Sequence, residues 1–175
     1  MATEIEAKLK VDSLPDIKEK LKQLEADFIE KQTHTDFYFD DERNRLKKAD
    51  CCLRLRSLTA GKTKTIFLTY KGAKQKNNFK KRTEFELRIN DIAAARRMLK
   101  LLGYRQRLII EKKRSLWRLD GCLVALDYID GLGCYVEIEG PNGRVISRVQ
   151  KKMGLAHLRH IPKSYACLLE KKNLK

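Results

Sequence analysis

Carboxylates and basic side chains recur at every second position in several stretches of this 175-residue chain. Glu4, Glu6 and Lys8 form the first group; Arg54 with Arg56, Lys71, and Arg82, Glu84, Glu86 and Arg88 follow. Lys112 with Arg114, Asp127, and Glu137 with Glu139 complete the series. Alternate residues of a strand share a face, so each group presents its charges together. Two carboxylates at i and i+2 stand roughly 7 Å apart. Joined by a third acid from a facing strand, such a pair has the oxygen-rich shell that Mg²⁺ or Mn²⁺ prefers, and Glu4/Glu6 and Glu137/Glu139 are the best candidates. Lys and Arg would hold phosphate oxygens, Arg in bidentate fashion. A solvated strand face ordinarily mixes in Thr, Ser and Gln. Here both charges saturate face after face, which points to an enclosed site for a metal and a polyphosphate, because such a lining is expensive unless a ligand neutralises it.

The elements that must carry these groups are read from periodicity. Segment 3–11 alternates strictly, with Ile5, Ala7, Leu9 and Val11 on one side and the charges on the other. Ser13 and Pro15 open a helix bearing Ile17, Leu21 and Leu24. Further strands are expected at 35–40, 51–57, 63–71 and 82–89, then a helix from Asn90 or Asp91 that Gly103 stops. Strands at 107–114, 115–119 and 122–129 follow, the last two joined by an Asp120-Gly121 hairpin turn. A strand at 134–139 and helices near 144–153 and 163–173 close the chain. The pattern is α+β, about eight antiparallel strands and four helices in a single domain over 1–175. With charged faces inward, the strands would close into a β-barrel whose apolar outer faces the amphipathic helices cover.

Composition narrows the partners. Thirty-nine Lys and Arg against 23 Asp and Glu leave +16, which favours a polyanion. No run approaches the roughly 18 apolar residues of a membrane-spanning helix. The acidic start, Thr3-Glu4-Ile5-Glu6, is unlike a secretion signal. Five cysteines in no metal-binding spacing read as free thiols, which leads to the expectation of a cytoplasmic protein with no membrane partner.

Glu4-Ile5-Glu6-Ala7-Lys8 resembles the E-x-E-x-K signature of the CYTH superfamily, the triphosphate tunnel metalloenzymes that join class IV adenylyl cyclases and thiamine triphosphatases. Leu53-Arg54-Leu55-Arg56, Thr69-Tyr70-Lys71-Gly72, Arg82-Thr83-Glu84 and Glu111-Lys112-Lys113-Arg114 extend the resemblance in family order. So do Asp127, the block Gly133-Cys134-Tyr135-Val136-Glu137-Ile138-Glu139 and Ser164-Tyr165. The resemblance implies an eight-stranded antiparallel closed tunnel with flanking helices. It implies that Glu4, Glu6, Glu139 and Glu137 bind a catalytic Mg²⁺ or Mn²⁺. Lys8, Arg54, Arg56, Lys71, Lys112 and Arg114 would then hold the triphosphate. Asp127 and Glu84 would support, at a second metal or by orienting basic groups, and Glu86 would pair with a neighbouring Arg.

Two reactions suit such a site, both in-line displacements at phosphorus. Chain length and the block from Gly131 to Glu139 resemble the class IV cyclase branch more than the longer animal thiamine triphosphatases, which implies cyclisation of ATP to 3′,5′-cyclic AMP and pyrophosphate. Hydrolysis of tripolyphosphate, thiamine triphosphate or a nucleoside triphosphate is the alternative. Lys8, which follows the catalytic Glu4 and Glu6 on the same strand, would activate water only if burial among cations lowered its pKa. A non-catalytic RNA- or nucleotide-binding module is a third reading, suited by the basic stretch 71–82, but paired glutamates would repel a nucleic-acid backbone. The resemblance is compatible with a homodimer. His34 is assigned a structural or surface role, and Trp117 a place in barrel packing.

Overall fold

The N-terminal alternation forms strand β1 (Ala2–Lys10), and Ser13 stands at the N-cap position of helix α1 (Leu14–Gln23), though its side chain makes no capping bond. The computed structural model describes residues 2–75 and 80–173, without the side chains of 2–4, 80–81 and 173. Strand β2 (Asp27–Asp40) leads to a short helix α2 (Arg45–Lys48), then to β3 (Cys52–Ala60), β4 (Thr63–Lys71) and β5 (Lys80–Ile89). Helix α3 (Ile92–Leu101) starts at Asp91, whose carboxylate accepts from the N–H groups of Ala93 and Ala94. Strands β6 (Arg105–Leu119), β7 (Cys122–Ile129) and β8 (Gly133–Glu139) precede helices α4 (Gly143–Lys152) and α5 (Tyr165–Asn173).

The eight strands pair antiparallel in the order β1-β5-β4-β3-β2-β6-β7-β8, a closed barrel. Closure rests on β1 alone: residues 2–6 pair with β5 and residues 6–10 with β8. The barrel is therefore strongly sheared where its ends meet.

Three sequence expectations are corrected. Segments 107–114 and 115–119 are one 15-residue strand, β6, because its pairing with β2 and β7 runs through Ser115 without a break. Strand β2 begins at Asp27 rather than 35, with a register shift between Phe28 and Glu30. The fifth helix, α2, is held by the Asp40 carboxylate, which accepts from the N–H groups of Leu46 and Lys47. Residues 76–79 of the basic stretch 71–82, read as an exposed turn at the tunnel mouth, lie outside the described residues.

The alternation sorts the barrel into two sides as expected. Ala7, Leu9, Val124, Leu126, Val136 and Ile138 face outward and pack under Leu21 of α1 and Ile146 and Val149 of α4. Each such fully buried aliphatic side chain contributes about 1.5–3 kcal/mol of hydrophobic stabilisation. Trp117 joins this layer, its ring edge-on to Phe28 at 5.0 Å. Helix α3 covers Leu53, Leu55 and Leu68 on the opposite outer face. The alternate residues of the same strands, including Glu6, Lys8, Asp36, Arg54, Thr69, Arg82, Lys112 and Asp127, are buried on the inner side. The inner face is not charged throughout: Ile110, Ile129 and Tyr135 form an apolar plug with Tyr165 and the following turn of α5.

Candidate functional site

Ten basic side chains line one cavity of about 570 Å³; besides Lys47, Lys74 and Arg107 there are seven on the inner faces of the strands. These seven are Lys8 of β1, Arg54 and Arg56 of β3, Lys71 of β4, Arg82 of β5, and Lys112 and Arg114 of β6. Inner faces alternate, so the i, i+2 spacing of Arg54/Arg56 and Lys112/Arg114 delivers both members of each pair to the same space.

Acids organise these cations. The Asp127 carboxylate, fully buried on β7, accepts two bonds from Arg114 at 2.6 Å each and one from the Tyr165 hydroxyl at 2.9 Å. Lys112 Nζ lies 3.4 Å from the same carboxylate. Arg114 also bonds Glu137, whose other oxygen is 3.3 Å from Lys8 Nζ. Lys8 further donates to the backbone carbonyl of Lys163 at 3.1 Å and lies 4.0 Å above the Tyr165 ring. Across the cavity, Arg56 grips Asp36 with two bonds of 2.6 and 2.7 Å. Lys71 pairs with Glu84 at 2.8 Å. Arg54 is held more loosely, 3.7 Å from Asp36 and 3.9 Å from Glu84, with one bond to the Thr69 hydroxyl at 3.3 Å. Arg82 approaches Asp50 at 3.9 Å. The buried Nε atoms of Arg54 and Arg82 have no hydrogen-bond partner among the described residues.

These surroundings set the charge states. Burial, reinforced by Arg114 and opposed by Asp127, pushes the Lys112 ammonium down to about 7. Burial pushes the Asp36 carboxyl up, but Arg54 and Arg56 outweigh it and hold that group well below the usual carboxylate range. Burial and then Arg56, Lys112 and Arg114 drive the His34 imidazole far below its ordinary value, so it stays neutral. His34 bonds Gln32 at 2.8 Å, its Nδ1 has no partner among the described residues, and its burial removes the surface half of the structural-or-surface expectation.

Of the residues singled out from the sequence, Glu6, Lys8, Arg54, Arg56, Lys71, Lys112, Arg114 and Glu137 line the cavity. Glu84 and Asp127 stand behind it, each paired with cations. Glu139 is exposed on β8, directly opposite Glu6 of β1. Glu4 pairs through its backbone with Arg82, and its side chain lies outside the described residues. Glu86 accepts from the Thr69 hydroxyl at 3.0 Å. Sequence reasoning placed Arg82 on a charged strand face through its i, i+2 spacing from Glu84 but gave it no role, and it gave none to Asp36 or Tyr165.

Metal fit turns on the acids. Among the described residues no three His, Cys, Asp or Glu side chains are grouped to hold a metal ion. Directly opposed strand residues have Cβ atoms about 4.5–5.5 Å apart, so Glu6 and Glu139 present two carboxylates at one register. Glu4 is two residues from Glu6 on the same strand. Three hard oxygen donors on adjacent strands suit Mg²⁺ or Mn²⁺ in donor type.

The barrel lumen thus gathers cations braced by acids. A family profile described as the CYTH domain matches residues 2–162, and the chain belongs to that family. A Methanocaldococcus jannaschii protein named "Putative adenylate cyclase MJ0240" is 32% identical over 136 residues, 78% of this chain and 75% of that one. The solved PH1819 protein of Pyrococcus horikoshii is 28% identical with a TM-score of 0.86, covering 97% of this chain and 99% of that one. A Hippeastrum protein described as "Putative adenylyl cyclase HpAC1", with a dominant triphosphatase activity, shares the fold at a TM-score of 0.76. It is 16% identical, over 97% of this chain and 96% of that one. No helix among the described residues is long and apolar enough to cross a membrane.

Proposed function

We propose that this chain is a divalent-metal-dependent enzyme that holds a triphosphate inside the barrel. Its reaction is of the class IV adenylyl cyclase type, converting ATP to 3′,5′-cyclic AMP and pyrophosphate. The observation that carries the triphosphate is the convergence of ten basic side chains on one cavity. The name of the M. jannaschii relative supports cyclisation.

In this reading Arg54, Arg56, Lys71 and Arg82 bind phosphoryl oxygens from one side, and Lys8, Lys112 and Arg114 from the other. Glu4, Glu6 and Glu139 hold Mg²⁺ or Mn²⁺, which when bound polarises phosphoryl oxygens and offsets developing negative charge. Glu137, Glu84 and Asp127 orient the basic groups with which they are paired. The ribose 3′-oxygen bonds to the α-phosphorus and the bond from that phosphorus to its bridging oxygen breaks. Pyrophosphate leaves, and the 3′-hydroxyl proton passes to a base. Lys112 is our choice for that base over Lys8, because a pKa near 7 leaves part of it as free amine at neutral pH.

The second reading is hydrolysis, with water attacking the γ-phosphorus, since the same metal and basic shell would serve it. The Hippeastrum protein, alike in fold, is described by that activity. Product analysis separates the two. Protein incubated with Mg²⁺ or Mn²⁺ and ATP is expected to release cyclic AMP and pyrophosphate in equal amounts. Orthophosphate without cyclic AMP would establish the triphosphatase instead, and no metal-dependent product from ATP or tripolyphosphate would overturn both.

A further inference from the structure

Helix α3 leaves one of its flanks uncovered. Ile92, Ala95 and Leu99 turn down onto Leu53, Leu55, Leu68 and Ile89 of the barrel. Met98, Leu101 and Leu102 do not: they are 63, 81 and 66% exposed. Their i, i+3, i+4 spacing gathers them on one face. Arg96 marks the other flank, its guanidinium 5.0 Å from the Phe37 ring of β2 and bonded to Gln106 of β6 at 2.8 Å. Met98 and Leu102 stand about 200° and 240° around the helix from Arg96, so they overhang the β4–β5 side. There Leu87 of β5 is 64% exposed, directly opposite Leu68 of β4, which packs under α3. Phe85 shares the face of Leu87 on that strand and is exposed as well. A soluble chain rarely sets five large apolar side chains together in water without a partner for them.

Charge identifies that partner. Arg96, Arg97 and Lys100 are exposed along the opposite flank, and no acid occurs in the sequence between Asp91 and Glu111. Glu42 does reach Arg105, just past the end of the helix. A second copy related by a two-fold axis through this face would set Arg97 and Lys100 against like charges. The crest also suits no groove-filling contact, because Leu101 projects between the flanks and no α3 residue lines either of the two cavities described. Large apolar side chains beside a band of Lys and Arg are what settles into the surface of an anionic bilayer. The apolar groups enter the acyl boundary while the cations stay among the phosphates.

We propose that α3, with Phe85 and Leu87 of β5, docks the protein on the surface of an anionic lipid bilayer. The contact is peripheral and needs no membrane-crossing helix, and the expectation of no membrane partner gives way to it. Docking is independent of what the lumen binds. The test is flotation of the full chain with vesicles of phosphatidylglycerol and phosphatidylcholine in equal parts, against vesicles of phosphatidylcholine alone. The parent is expected to bind the anionic vesicles at least about ten-fold more tightly, and less so as salt rises. A chain of net charge +16 would be drawn to such vesicles by charge alone, so the apolar side chains decide the matter. Leu101→Ser/Leu102→Ser is expected to lower affinity for the anionic vesicles at least about five-fold with an unchanged denaturation midpoint. Arg97→Gln/Lys100→Gln is expected to lower it similarly and to flatten the salt dependence. No binding to the anionic vesicles, equal binding to both kinds, or parent-like binding by Leu101→Ser/Leu102→Ser would overturn docking. So would a lipid-free dimer in sedimentation velocity that the same leucine variant dissociates, because the face would then belong to a second copy.

Discussion

The two walls that carry the cations are held in different ways. On β1, β6, β7 and β8, Asp127 takes two bonds from Arg114 at 2.6 Å each and one from Tyr165, while Glu137 spans Lys8 and Arg114. On the opposite wall Asp36 grips Arg56 and Glu84 pairs with Lys71, but the nearest described acids stand 3.7 and 3.9 Å from Arg54 and 3.9 Å from Arg82, and both Nε atoms lack partners among the described residues. A buried guanidinium with loose pairing is poorly compensated, since the low-dielectric interior returns its desolvation cost only through good geometry. The first wall is therefore pre-organised by its own protein partners. The second has binding capacity that an anion would complete.

That contrast can be broken most decisively at Asp127. Asp127→Asn strips the carboxylate charge from the buried Arg114 and is expected to destabilise the fold by about 3–5 kcal/mol in denaturant unfolding. A loss under about 1 kcal/mol would mean that the tight wall is not held by this pair. Arg82→Gln should behave in the opposite way. Stability should stay within about 1 kcal/mol of the parent, because a loosely paired buried charge adds little to the fold. KM for the triphosphate substrate should rise ten-fold or more. Equal stability losses in the two variants would erase the distinction.

The smallest effect is a pH dependence. The folded-state pKa of Lys112, about 7, lies below the roughly 10.4 of an unfolded lysine. Between those values the unfolded chain binds more protons, so the Lys112 contribution to stability rises with pH through that window and is lost as pH falls through 7. Chemical denaturation from pH 7 to 10 is expected to show this rise in the parent and a shallower one in Lys112→Met. Identical slopes would show that Lys112 is not depressed by its surroundings.

The same contrast explains what could be read from the sequence. Period-two charge on β1 and β3 was visible because every second residue was charged and the others were apolar, whereas on β6 Glu111 and Lys113 are charged between the inner Lys112 and Arg114. Asp120-Gly121 was legible because both residues adopt positive φ, +48° and +77°, as a two-residue hairpin turn requires. The first half of β2, Asp27 to Thr33, was hidden because most of it is solvated and no apolar side alternates there. The division of β6 at Ser115 came from a local change in pattern that pairing to two neighbours overrides. Helix α2 is one turn fixed by a carboxylate several residues away, which propensity does not report. At the site, Tyr165 stood out in the sequence only as part of a family block with no role assigned, and its ring packs edge-on against Tyr135 at 5.1 Å. Its hydroxyl bond to Asp127 joins residues 38 positions apart, a relation that only the closed barrel creates.

The central claim is that the lumen binds a triphosphate through its loosely held cations. Calorimetric titration of the parent and of an Arg54→Gln/Arg82→Gln double variant with tripolyphosphate tests it most directly. The account expects saturable one-to-one binding by the parent and at least a ten-fold loss of affinity in the variant. No binding by the parent, or equal affinity in both proteins, would contradict it.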